Sequence, residues 1–81
     1  MGKMILTATV TLHDGTKAHA KKVSVVTLRL GDSIVAGGTL GGVYTPVDVV
    51  REFKRLHTDK RFVKHAGYAT FLEANAAGLI L

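Results

Sequence analysis

The side chains of this 81-residue chain that could perform acid–base or nucleophilic chemistry are few and scattered. The four histidines are His13, His19, His57 and His65. Ser24 and Ser33 fall in strand-like segments, and neither stands in the G-x-S-x-G sequence that exposes a catalytic serine. The six carboxylic acids include no pair whose setting would separate two pKa values for general acid–base catalysis. We therefore expect a protein that is not an enzyme.

The spacing of these residues does not favour a metal site either. Zinc sites take three or four ligands, and the chain has no cysteine. His57 and His65 would share a face only on one unbroken helix, and we expect a break between them. His13 and His19 flank a turn without facing each other. We expect neither a metal ion nor a cofactor.

The glycine-rich stretch GGTLGG could approach a phosphate group closely, but it lacks the known phosphate-binding patterns. Residues 38–41 read G-x-x-G, as in loops that clamp nucleic-acid backbone, yet they join strand-like segments and carry no basic residue. We expect a flexible hairpin loop built on Gly37, Gly38, Gly41 and Gly42.

Basic residues supply the candidate binding site. Eleven Lys and Arg against six acids give a net charge of +5, which favours nucleic acid or an acidic protein surface as the partner. We expect Phe53 and Phe71 in the core, so contacts with phosphates are favoured over base stacking. The alternative is a solvated polar side of ordinary helices. The candidate residues are Lys17, Lys21, Lys22, Arg51, Lys54, Arg55, Lys60, Arg61 and Lys64.

The first half of the chain, which must position part of these residues, has the sequence pattern of β-strands. Residues 4–12 alternate strictly between apolar and threonine side chains, apart from Ile5, which predicts a half-buried strand. Asp14-Gly15 is a strong hairpin turn signal. A second strand is predicted over 23–30. A two-residue turn at Gly31-Asp32 would then pair Leu28 with Val35 in a third strand, and a short fourth strand is expected at residues 43–44.

Helical signals follow the strands. Thr45 can cap a helix, Pro46 suits its first position, and Asp48 completes a capping box, so a helix is predicted over 46–57. A second helical piece is expected to begin near residues 58–59.

The rest of the chain continues this helical pattern. An interruption is expected at Ala66-Gly67, which leaves open whether 58–77 is one kinked helix or two. Gly78 is typical of a helix C-terminal cap. The apolar residues 79–81 would either enter the core or stay exposed for a partner.

The fold class is therefore α+β. An antiparallel meander of three to four strands over about 4–44 precedes two or three short helices over about 46–77, packed on one face. We expect one domain over 1–81, with residues 1–3 outside the fold. No apolar run approaches the ~18 residues of a membrane span, and the lack of cysteine favours a cytoplasmic, intracellular protein.

The function that these features favour is binding. We expect a small basic binding protein that contacts nucleic-acid backbone through the basic hairpin and helix surfaces. The alternative is a protein–protein interaction module, such as a phage- or plasmid-type inhibitor of a host protein or an assembly subunit. With 47% hydrophobic residues in so short a chain, a homodimer would also bury apolar surface.

Overall fold

The computed structural model of the protein describes residues 3–14 and 22–81, and its elements follow the order strand, strand, strand, helix, strand, helix. The strands form one antiparallel sheet in the order β1-β2-β3-β4. The predicted α+β class is confirmed. Neither helix of the described ranges is long and apolar enough to cross a bilayer. The elements are β1 (Leu6–His13), β2 (Val23–Leu30), β3 (Ser33–Gly41), α1 (Pro46–Leu56), β4 (Phe62–Lys64) and α2 (Tyr68–Ala76).

Strand β1 behaves as its alternation predicts over most of its length. Leu6 is buried, and Ala8 and Val10 are half-buried against the core. Leu12, near the end of the strand, is 47% exposed. The predicted turn at Asp14-Gly15 extends outside the described residues. The strand therefore belongs to the core mainly through its first half.

The hairpin between β2 and β3 has the expected turn but not the expected register. Leu30 lies opposite Ser33 across Gly31-Asp32, whereas Leu28 lies opposite Ala36 instead of Val35. The predicted pairing of Leu28 with Val35 is wrong because β3 contains one extra residue, a β-bulge, at this point. The bulge allows two consecutive apolar residues, Val35 and Ala36, to be buried.

The glycine-rich stretch is strand and not loop, so the expectation of a hairpin loop is wrong. Gly37, Gly38 and Gly41 lie in β3, and Gly42 follows it directly. Gly37 and Gly38 pair with β2 on one side and with β4 on the other. A Cβ on Gly38 would run into the carbonyl oxygen of Arg61. Glycine therefore serves the close approach of two main chains here.

The fourth strand lies elsewhere than expected. Residues 43–44 are not strand, and β4 forms at residues 62–64, within the stretch that was expected to be helical. The Asp59 carboxylate accepts a hydrogen bond from the main-chain N–H of Arg61 at 2.9 Å, which holds a turn in place of a helix start. Only 1% of Phe62 is exposed. The expectation that a second helical piece begins at residues 58–59 is wrong, and one helix, α2, begins at Tyr68.

Helix α1 begins and ends close to the predicted bounds. Thr45 Oγ1 accepts from the N–H of Asp48 at 3.2 Å, and the Asp48 carboxylate accepts from the N–H of Thr45 at 3.2 Å. This reciprocal pair is the predicted capping box, with Pro46 in the first turn. Val49 and Phe53 face the sheet and are fully buried. The box therefore fixes where the helix starts over the sheet.

Three phenylalanines join the two layers. The ring centroid of Phe53 lies 5.0 Å from that of Phe62 and 4.8 Å from that of Phe71. These residues come from α1, β4 and α2, so one aromatic cluster connects both helices to the sheet. The opposite face of the sheet carries no helix within the described residues.

The chain after α2 returns to the start of β1. Gly78, with φ +70°, donates to the carbonyl of Asn75, and the next residue, Leu79, donates to that of Ala74. This is the predicted C-terminal glycine cap. Met4 then donates to the carbonyl of Leu79 at 2.7 Å, and its own carbonyl accepts from Leu81 at 3.0 Å. Residues 79–81 thus pair in parallel with the residues that precede β1.

The close approach at Gly38 can be tested by substitution. We expect Gly38→Ala to lower the free energy of unfolding by about 1–3 kcal/mol, because a Cβ would displace the Arg61 main chain and the backbone at φ +152° disfavours a side chain. Gly41→Ala is the matched control, since a Cβ there meets no atom within 4 Å. Urea unfolding measures both variants, and equal losses would contradict the role given to Gly38.

The capping box predicts a pH dependence. We expect Thr45→Ala to lower the free energy of unfolding at neutral pH by about 1 kcal/mol. The hydrogen bond from the Thr45 side chain is the main cause that lowers the pKa of Asp48 below its ordinary value. A carboxyl whose pKa is lowered by folding stabilises the protein above its unfolded-state pKa, and this contribution is lost as the pH falls through the folded-state pKa.

On acidification the wild type should therefore lose stability more steeply than Thr45→Ala. Urea unfolding at a series of pH values from about 7 to about 2 measures the difference. A difference between the two proteins that stays constant over this range would contradict the coupling of Thr45 to Asp48.

Candidate functional site

The first basic cluster of the predicted site, Lys17, Lys21 and Lys22, is only partly described. Lys17 and Lys21 lie outside the described residues. Lys22 precedes β2, and its Nζ donates to the Asp14 carboxylate at 2.9 Å. This ion pair lowers the pKa of Asp14, chiefly through the hydrogen bond. Lys22 therefore already has an acidic partner inside the chain.

The second basic cluster consists of Arg51, Lys54, Arg55, Lys60, Arg61 and Lys64, and much of it is engaged in the fold. Arg61 lies between two carboxylates, 3.3 Å from both Glu52 and Asp59. Its guanidinium also lies 5.7 Å from the centre of the Phe62 ring. Arg55 reaches the same Glu52 at 3.3 Å along α1. Glu52 thus holds two of the predicted site residues in intramolecular pairs.

Two lysines of this cluster bind main-chain oxygens. Lys64 Nζ donates to the carbonyls of Asp59 and Phe62 at 2.7 Å each, and lies 5.8 Å from the Tyr68 ring centre. Lys54 Nζ donates to the main-chain oxygen of Leu81. Both lysines therefore fasten the connections around β4 and the C-terminal segment.

Arg51 and Lys60 are the other two residues of the second basic cluster. Within residues 3–14 and 22–81, neither forms an ion pair or a side-chain hydrogen bond, and both are exposed. Arg51 and Arg55 stand one turn apart on the exposed side of α1. The structure therefore does not bring the seven described residues of the predicted site together into one free cationic surface.

The histidines do not assemble a metal or catalytic group in the described ranges, where no three His, Asp or Glu side chains converge. His57 Nδ1 lies 2.8 Å from the Tyr68 hydroxyl, a hydrogen bond between α1 and α2. Its ring also packs against Phe71 with centroids 5.4 Å apart. The role of His57 visible here is to join the two helices.

A cleft of about 470 Å³ opens between α1 and β1. Its lining contains two cations and one hydroxyl among apolar side chains, and no acidic residue. Val47 and Arg51 project over the cleft from the helix, and both are exposed. The lining residues are Leu6, Thr7, Ala8, Pro46, Val47, Val50, Arg51 and Lys54.

This cleft follows the main chain of β1. Leu6 and Ala8 point to the helix side of the sheet, whereas Thr7 between them points to the other side. A cleft that contacts all three consecutive residues must therefore run along the strand's own edge. Among the described strands none pairs with that edge, because β1 is the first strand of the sheet and pairs only with β2.

The hydrogen-bond pattern shows which residues of β1 present main-chain groups to this edge. The carbonyl of Lys22, which directly precedes β2, accepts from the N–H of Gly42, which directly follows β3. Because main-chain groups alternate in direction along a strand, the even-numbered residues of β2 bond to β3 and the odd-numbered residues bond to β1. Arg29 pairs with Thr7, so odd-numbered residues of β1 bond to β2. The even-numbered residues of β1 therefore direct their N–H and C=O groups away from β2, toward the open edge. These residues are Leu6, Ala8, Val10 and Leu12.

Met4 follows the same alternation, and its main-chain groups are the ones that bond to residues 79–81. The C-terminal segment therefore lies on the outer edge, directly before Leu6. The edge already accepts one short strand from within the chain, and no main-chain group of residues 3–14 or 22–81 bonds to the rest of it.

The open part of the edge lacks the features that usually prevent strand pairing. Such edges commonly carry lysine, proline or a bulge. Residues 6–12 contain no charged residue and no proline, and they pair with β2 without a shift in register. An edge of this kind is suited to accept a further strand.

Arg51 and Lys54 of the cleft are among the predicted site residues, whereas its other six lining residues are not. The prediction gives Leu6 and Ala8 no role beyond the half-buried strand, and it gives Val47 none. Two signals in the sequence point to them: the uncharged strand without proline over 6–12, and an apolar residue at Val47 outside the core-facing stripe of α1. The position of the strand at the sheet edge was not visible in the sequence.

The chain matches no protein-family model, no curated protein and no solved structure at a significant level. What can be said of its function therefore depends on the geometry of the cleft and the edge.

Arg61, which forms ion pairs, and Arg51, which forms none in the described ranges, should differ in their effect on stability. We expect Arg61→Gln to lower the free energy of unfolding by about 1 kcal/mol, because it removes contacts with Glu52 and Asp59. Arg51→Gln should stay within about 0.5 kcal/mol of the wild type, since Arg51 forms no ion pair in the described ranges. Urea unfolding of both variants is the measurement, and a larger loss for Arg51→Gln would contradict this division.

Proposed function

We propose that this chain is a non-enzymatic binding protein that captures an extended segment of another protein as an added strand on the outer edge of β1. The observation that carries the proposal is the unprotected edge over residues 6–12 beside an open cleft. Strand addition obtains affinity from main-chain hydrogen bonds and specificity from pockets for alternate side chains. Both components are present on this edge.

Charge favours another protein over a second copy as the occupant. The cleft lining contains Arg51 and Lys54 and no acidic residue, and residues 6–12 of a second copy would bring no carboxylate to these cations. Opposite charges across an interface favour one partner over another. A segment that carries carboxylates would instead complement the cleft.

Blocking the edge tests the proposal. We expect Ala8→Pro to abolish binding, because the N–H of Ala8 points outward and a proline ring in its place prevents strand addition while leaving the bonds to β2 intact. Binders would be selected from a displayed library of random nine-residue peptides and measured by titration against both proteins. Circular dichroism and urea unfolding establish that the variant is folded.

Selected peptides that bind Ala8→Pro as tightly as the wild type would contradict the proposal. A dimer in light scattering that Ala8→Pro converts to a monomer would show that the occupant is a second copy. Thr11→Lys is the matched control, because Thr11 is exposed on the face away from the helices and its main chain bonds to β2. It should leave both peptide binding and the monomeric state unchanged.

Nucleic acid is the second candidate, and the exposed pair Arg51 and Arg55 on α1 favours it. Two or three phosphate contacts would give a salt dependence of log affinity with a slope of about −1.5 to −2.5. We expect no binding to labelled single- or double-stranded 20-mers at about 50 mM salt. Binding with such a slope, lost in the double variant Arg51→Glu and Arg55→Glu, would favour nucleic acid instead.

A further inference from the structure

We infer that the cleft selects an added strand that runs antiparallel to β1 and in which one apolar side chain is followed two residues later by Asp or Glu. The inference rests on the proposed strand addition and deepens it. It follows from where the helix lies over the edge, which way it runs and which residues it presents there.

The helix lies where alternate side chains of an added strand would point. Neighbouring strands lie about 4.8 Å apart, and a helix packs about 10 Å above its sheet. A strand added outside β1 would therefore lie under the outer side of α1. Its side chains on the helix side would enter the cleft between Val47, Val50 and Arg51 and the edge of β1.

The side of α1 that lines the cleft is long enough to contact two such side chains of the added strand. Val47 and Lys54 are seven residues apart, which corresponds to about 10 Å along the helix. Side chains on one face of a strand repeat every two residues, or about 6.8 Å. The cleft can therefore accommodate an i, i+2 pair of side chains from the added strand.

The two ends of the cleft differ in chemistry. Lys54 donates to the main-chain oxygen of Leu81, which lies beside Met4, so the last turn of α1 is at the beginning of β1. The cationic end, with Arg51 and Lys54, therefore lies near Leu6. The apolar end, with Pro46, Val47 and Val50, lies further along the strand toward Ala8.

This polarity sets the order of the two side chains. A strand antiparallel to β1 passes the apolar end first and reaches Leu6 last, so its apolar residue precedes its acid. Antiparallel pairing is the commoner arrangement, by about two- to three-fold. Residues 79–81 occupy the edge at Met4, so the acid is the last residue of the added strand to enter the cleft.

Three synthetic peptides test the inference. The first, STVTVTDTS, carries the predicted order, with Val, Val and Asp on one face. STVTVTNTS removes the charge, and STDTVTVTS has the same composition with the order reversed. Amide chemical shifts of residues 6–12 report binding at the edge, and titrations up to about 1 mM give the affinities.

We expect STVTVTDTS to bind about fivefold or more tightly than either control. The variant Arg51→Glu should abolish this preference and favour STVTVTKTS, in which Lys replaces Asp. Arg51 is exposed and unpaired in the described ranges, so this variant should fold as the wild type does.

The possible failures are distinguishable. If all peptides shift the amides of residues 6–12 with equal affinity, the edge binds strands without this selection, and the inference is overturned while the proposed function stands. If the reversed peptide binds best, the predicted direction is wrong. If no peptide shifts these amides, the inference is overturned, and the peptide selection against Ala8→Pro decides the proposed function separately.

Discussion

The arrangement of this protein depends on the close contact between the main chain of Gly38 and that of Arg61. Without a side chain at Gly38, residues 62–64 can lie against β3 and complete the sheet on that side. Phe62 then enters the core and meets Phe53, which itself contacts Phe71, so that both helices are fixed over the sheet. Because β4 pairs with residues 36–38 of β3, the longer open edge of the described sheet is that of β1.

The positive charge of the chain serves two different purposes. Glu52 and Asp59 hold Arg55 and Arg61 around the turn that leads into β4, so these arginines stabilise the connection on which the sheet depends. Arg51, one turn before Arg55 on α1, forms no ion pair in the described ranges and lines the cleft. The eleven Lys and Arg side chains of the sequence are therefore a poor measure of the free binding surface, since several of the described ones already contact acids or main-chain oxygens within the chain.

Local signals in the sequence predicted the local structure well. The alternation of residues 4–12, the capping box at Thr45 and the glycine cap at Gly78 each depend on near neighbours, and each is present. The bulge at Val35 and the strand at residues 62–64 depend on pairing partners far along the chain, so periodicity could not reveal them. The cleft also required knowing that β1 is an edge, which is a property of the whole sheet.

The parallel pairing of residues 79–81 with Met4 has a consequence for any longer form of this chain. Leu81 leads in the direction of β1, so residues that continued it would pass alongside Leu6 and Ala8. A covalently attached segment there would act at a very high effective concentration and would compete with any separate peptide for the same main-chain groups. Whether the edge is available would then be determined by the residues joined to Leu81 as much as by the edge itself.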